Sequence, residues 1–195
     1  MRALNVRLKS RLLLSLAIAI PFAMAIAAEG DPIAGKRITN TCNACHRQSS
    51  MTSVPNLGGQ NPQYFIAAMR AYQDGVRSHA TMRDVARIYS DRDFKNLAAY
   101  YAEGGATNDG AGNAESPPAA AACGACHGPG GSEPVTPNTP KIAGQKKTYL
   151  AQILREYRAS ERSNSLMQQQ AGPLGDEDIA ALSDYFAAQK ALTVK

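Results

Sequence analysis

The sequence has no tryptophan and only four cysteines among its 195 residues. Beyond residue 28 no apolar run approaches the ~20 residues of a membrane-spanning helix, which excludes a multi-span membrane protein. Nor does it lack apolar content: 44% of residues are hydrophobic and 19% charged, enough to bury a core and too much for a disordered chain. A basic character is missing too, despite a formal net charge of +5. Four of the positive charges, Arg2, Arg7, Lys9 and Arg11, precede an apolar run over 12–20 and an Ala25-Ile26-Ala27 pattern. That is the arrangement of an export signal over residues 1–28, cleaved near Ala27 or Ala28. Pro21 interrupts the run and argues against an uncleaved anchor. Without this segment seventeen basic residues face sixteen acidic ones, and the case for nucleic acid as a partner falls away. Export leads to an oxidising compartment, where free thiols are uncommon.

The four cysteines stand in two clusters, Cys42-Asn43-Ala44-Cys45-His46 and Cys123-Gly124-Ala125-Cys126-His127. C-x-x-C-H is the attachment pattern of c-type haem. Two thiols add across the two vinyl groups on one porphyrin edge, and the adjacent histidine ligates the iron from below. One tight turn of chain must supply all three groups, which five consecutive residues can do. A four-cysteine zinc site leaves a histidine after each second cysteine unexplained. A pair of disulfides leaves the same two histidines unexplained. Two copies that use every cysteine point to two covalently bound haem c groups.

The chain also repeats itself. The haem motifs are offset by 81 residues, and from Pro55 onward the offset is 85. Pro55, Gly59, Gln60, Tyr64, Arg70 and Tyr72 match Pro140, Gly144, Gln145, Tyr149, Arg155 and Tyr157. Arg77, Met82, Asp91, Asp93 and Leu97 match Arg162, Met167, Asp176, Asp178 and Leu182. The second copy carries four extra residues in a loop near Gly128-Pro129-Gly130-Gly131. The stretch 104–122 is rich in Gly, Ala, Asn and Pro and has no apolar period. It sets a linker at 104–115 between units 29–103 and 116–195. Each unit is too small for a generous core, and a covalent haem would supply the missing apolar contact.

Both units read as all-α. Asp31-Pro32 offers an N-cap and an N1 proline for a helix running into Cys42, and Ser116-Pro117 does the same before Cys123. Asn61-Pro62 opens a helix through Asp74 that Gly75 stops, with a counterpart over 146–160. Ser90, Asp91 and Asp93 cap a helix to Glu103, and Asp176 and Asp178 open its counterpart to Ala191. Strand-like alternation is absent. Each unit is a small helical bundle folded around its cofactor.

The second axial group on each iron decides function. The second unit contains one methionine, Met167, and no histidine besides His127, so Met167 is the natural ligand there. The repeat then points to Met82 in the first unit, in matched short loops. Met51, Met69 and His79 compete with Met82, but His79 is matched by Asn164, which favours the methionine. The proximal histidines need a carbonyl or carboxylate to fix their second ring nitrogen. Pro55 and Pro140 suit that role, since proline offers an acceptor and no donor; a plain turn proline is the alternative. Tyr64, Arg70, Tyr149 and Arg155 suit either packing and solvated positions or haem propionates. Arg77 and Arg162 suit propionates or acidic side chains.

These motifs together resemble the cytochrome c4 family of dihaem cytochromes. The resemblance rests on both C-x-x-C-H motifs, the segments Pro55-Asn56-Leu57-Gly58-Gly59-Gln60 and Pro140-Lys141-Ile142-Ala143-Gly144-Gln145, the two methionines, and Asp-x-Asp leading into Leu-x-x-Tyr in each half. It implies two tandem class I cytochrome c domains with His46/Met82 and His127/Met167 as axial pairs. It implies a periplasmic monomer, loosely associated with the membrane, that has no catalytic residues of its own. Its partners would be redox proteins, a membrane oxidase or a dehydrogenase, with electrons passing towards a terminal oxidase. Two other roles compete. One is the electron-accepting subunit of a periplasmic dehydrogenase, such as flavocytochrome c sulfide dehydrogenase. The other is a dihaem peroxidase or gas sensor, which needs an open iron position that the paired methionines argue against.

Overall fold

The computed structural model describes residues 30–47, 49–104 and 114–190. The expected export signal, most of the expected linker and the last five residues lie outside the described residues. Those described form nine α-helices and one 3-10 turn, with no strand among them. Helices α1 (Pro32–Arg37), α2 (Asn40–His46), α3 (Pro62–Gln73), α4 (Ala80–Arg87) and α5 (Asp91–Glu103) make up the N-terminal half. Helices α6 (Ala120–His127), α7 (Lys147–Arg158), α8 (Ser165–Ala171) and α9 (Asp176–Ala188) make up the C-terminal half, with the 3-10 turn at Pro129–Gly131.

Each half has its own core. In the first, Phe65, Met69, Ala86, Phe94, Leu97, Ala98 and Tyr101 gather around Cys42. In the second, Ala120, Leu150, Leu182 and Phe186 form the core, with Cys123 packed against them. The matched positions Leu97 and Leu182 are almost wholly buried in both. Each contributes roughly 1.5–3 kcal/mol by leaving water.

Local chemistry explains the helix ends. The Asp31 carboxylate accepts from the Ile33 and Ala34 amides and starts α1. Ser90 and Asp93 form a reciprocal capping box on α5. Gly75 takes φ of +77° after α3, and Ser160 takes the matching left-handed position after α7 at +60°. Asn61 precedes α3 without capping it, because its side chain is used elsewhere.

Four expectations need correction. The helix from Pro32 does not run into Cys42. It stops at Arg37, and α2 starts at Asn40. The break falls at β-branched Ile38 and Thr39, where the Thr39 hydroxyl donates to the Lys36 carbonyl at 2.9 Å. Ser116-Pro117 does not cap α6. The helix begins at Ala120 after an uncapped Ala119, since Pro118 keeps Pro117 out of the helical region. Met82 and Met167 lie near the starts of α4 and α8, not in loops. Finally, α9 ends at Ala188 rather than Ala191.

Candidate haem sites

One turn of helix places Cys42 and Cys45 on one side of α2, and Cys123 and Cys126 likewise on α6. No disulfide joins any of the four. Among the described residues no group of three or more His, Cys, Asp or Glu is gathered as an ion site, so a shared zinc site is not formed. Burial pushes the Cys42 and Cys123 thiols above their ordinary pKa.

The histidine closing each motif is held the same way in both halves. His46 Nδ1 lies 2.8 Å from the Pro55 carbonyl oxygen, and His127 Nδ1 lies 2.7 Å from that of Pro140. A carbonyl only accepts, so Nδ1 carries the proton and Nε2 keeps its lone pair. Burial lowers both imidazole pKa values, the proline carbonyls opposing in part. Each motif thus offers two thiols and a neutral imidazole with a free, oriented nitrogen. That donor set fits a covalent haem c.

The loop carrying each proline is tied to its own half. The Gly59 amide donates to the Tyr101 carbonyl and the Gly144 amide to that of Phe186, each at 2.8 Å. Both glycines have positive φ, +74° and +66°, which side chains other than glycine rarely adopt.

The Met82 amide donates to His79 Nδ1 at 3.2 Å, and the Met167 amide to Asn164 Oδ1 at 3.0 Å. His79 therefore caps α4 as Asn164 caps α8, and its imidazole is engaged there. Met82 packs half-buried against the first core. Met69 is a core residue and Met51 is exposed. Arg70 pairs with Asp91, and Arg155 and Arg158 with Asp176, all at the surface starts of α5 and α9. Arg70 and Arg155 are thus anchored to helix ends. Arg77 donates to the Tyr64 hydroxyl at 3.1 Å and stacks on Tyr64 and Tyr72. Arg162 donates to the Tyr157 hydroxyl at 3.1 Å and faces Glu156.

The halves meet along the two proline loops, and sequence reasoning missed what joins them. Gln145 Oε1 accepts from the Asn56 amide at 2.8 Å, and its Nε2 donates to the Asn56 carbonyl at 3.0 Å. Gln60 repeats this on Lys141, at 2.9 and 3.0 Å. The Asn61 side chain donates to the Thr139 carbonyl at 2.7 Å, and Lys146 Nζ to the Met51 carbonyl at 3.0 Å. The repeat marks Gln60 and Gln145 as a matched pair, but partners 81 and 89 residues away are not readable from it.

The profile of the family described as Cytochrome c matches residues 118–190. Cytochrome c4 of Pseudomonas aeruginosa is 32% identical over 90% of this chain and 97% of its own length. The thiosulfate dehydrogenase electron acceptor of Thiomonas intermedia is 29% identical over 76% of this chain and 78% of its own. The crystal structure of reduced recombinant cytochrome c4 from Pseudomonas stutzeri superposes with a TM-score of 0.72 at 27% identity, covering 82% of this chain and 99% of that one. With the fold, both attachment motifs and a full-length relative in agreement, the chain belongs to the cytochrome c4 family: it is an electron carrier rather than an enzyme, built on two class I cytochrome c folds with a covalent haem c on each cysteine pair.

Proposed function

We propose that the protein carries electrons in the periplasm between respiratory-chain partners, towards a terminal oxidase. Residues 1–28 serve as its removable export signal. The domains are 29–103 and 116–195, with a linker at 104–115. The axial pairs are His46 with Met82 and His127 with Met167. The observation that carries this reading is the matched pair of histidine Nδ1 to proline carbonyl bonds, which leaves Nε2 to the iron in both halves.

Bound haem c supplies a one-electron ferric/ferrous couple in each half. The chain does the rest. Cys42, Cys45, Cys123 and Cys126 tether the two groups. The Pro55 and Pro140 carbonyls hold one imidazole tautomer and raise its basicity. Met82 and Met167, steadied by the caps on α4 and α8, would supply the second iron ligand in each half. Held on both sides by these residues, a haem would keep its reorganisation small. Arg77 suits an anionic propionate, since its described polar partner is a neutral phenol.

A second reading has a specific support. The Thiomonas relative is named as an electron acceptor of thiosulfate dehydrogenase, so a periplasmic dehydrogenase is a candidate donor. A dehydrogenase that co-purifies with the protein favours this reading; its absence favours the free carrier.

Carbon monoxide tests the ligation. The reduced protein should show a low-spin spectrum unchanged by the gas. Met82→Ala and Met167→Ala should each let carbon monoxide shift about half of the Soret band, one haem in two. A shift in the unmodified protein would overturn the closed-site reading and favour a sensor or peroxidase.

A further inference from the structure

The two glutamines at the interface do more than join the halves, because of the peptide they grip. The carbonyl of Pro55 and the amide of Asn56 belong to one peptide unit. The carbonyl receives the His46 Nδ1 proton at 2.8 Å, while the amide donates to Gln145 Oε1 of the other half at 2.8 Å. The unit Pro140–Lys141 repeats the arrangement. Its carbonyl accepts from His127 Nδ1 at 2.7 Å, and its amide donates to Gln60 Oε1 at 2.9 Å. Each glutamine amide has one orientation only, because its Nε2 faces the carbonyl of the same Asn56 or Lys141 at 3.0 Å.

We propose that Gln60 and Gln145 are positioning residues that tune the haems crosswise, Gln145 acting on the haem held by Cys42 and Cys45, and Gln60 on the haem held by Cys123 and Cys126. The physics is that of a conjugated peptide. An acceptor on its N–H pushes electron density onto its carbonyl oxygen, and hydrogen bonds in such a chain strengthen one another. The carbonyl then draws harder on the imidazole Nδ1 proton. The imidazole becomes a more basic ligand through Nε2 and favours the ferric state. Removing the glutamine acceptor from one half therefore favours the ferrous state in the other. The other described side-chain bonds across the interface, such as Asn61 to Thr139, do not reach these peptide amides. The proposal rests on His46 and His127 being the proximal ligands.

The test uses the full holoprotein. The carbon monoxide response, the low-spin spectrum and the histidine-ligand signals in the paramagnetic NMR spectrum of the unmodified protein check ligation first, so a wrong ligand assignment shows there and not in the variants. Redox titration with haem methyl NMR then assigns a potential to each haem in Gln145→Leu, Gln60→Leu and Asn61→Ala. Gln145→Leu should move the ferric/ferrous equilibrium of the N-terminal haem at least threefold towards ferrous, a rise of about 28 mV at about 59 mV per tenfold for one electron. Its own C-terminal haem should move by less than half as much. Gln60→Leu should show the mirror pattern. Asn61→Ala, which loosens the same interface without touching either peptide, should leave both potentials where they are. Equal shifts at both haems, a larger shift on the side of the substitution, no shift, or the same shifts from Asn61→Ala would each overturn the crosswise relay. If one glutamine variant fails to fold, the other decides alone.

Discussion

Single atoms of proline, histidine and serine set the chemistry of each half. The Pro55 and Pro140 carbonyls fix the tautomer of His46 and His127, and this part of the site is legible in the sequence because proline offers an acceptor without a donor. Ser183 is legible only in the structure. Its hydroxyl is fully buried on α9 with no partner among the described protein groups, while the matched position in the first half is Ala98, equally buried. A buried hydroxyl without a partner costs about 1–3 kcal/mol. Ser183→Ala should therefore stabilise the holoprotein by about 1 kcal/mol in denaturant unfolding. A loss of stability would mean that the hydroxyl has a partner in the holoprotein. The sequence shows a serine matched to an alanine; it does not show which face of the helix they share.

At the scale of elements, caps are local and so can be read, whereas packing is not. Helices α5 and α9 follow from Ser90, Asp91 and Asp93 and from Asp176 and Asp178, all within one turn of the start. Helices α4 and α8 escape sequence reading because they are short and because His79, an unusual cap, opens the first. The N-terminal acids also set an acid response. Hydrogen bonds from Arg70, Ser90 and Arg158 hold Asp91, Asp93 and Asp176 below their ordinary pKa of 3.8. The unfolded chain binds these protons more readily, so the stabilisation is complete above about pH 4 and fades as pH falls further. Asp93→Asn should flatten part of that acid slope in thermal melts; an unchanged slope would contradict the capping role. Gly35 makes a different kind of contact. A β-carbon there would fall 2.1 Å from the Asn96 carbonyl oxygen, so glycine is what lets α1 lie on α5. Gly35→Ala should cost about 1–3 kcal/mol, read as a lowered midpoint in denaturant, because a backbone atom must give way. The C-terminal half has no described counterpart of α1: residues 114–119 hold no helix, only a turn at 118–119 before α6.

For the whole molecule, the internal repeat makes two similar helical halves legible, and the doubled C-x-x-C-H makes two haems legible. The way the halves dock is not legible, because it depends on backbone atoms that meet only after both proline loops have folded. Gln60 on Lys141 and Gln145 on Asn56 give that docking an approximate two-fold symmetry, which places each histidine's supporting peptide in contact with the opposite half. Two haems on each chain should store two electrons. A reductive titration of the purified holoprotein, paired with a haem count by the alkaline pyridine assay, measures both numbers. The expected result is two haems and two one-electron equivalents per chain. One haem or one electron per chain would contradict it, and with it the reading of both cysteine motifs as equivalent attachment sites.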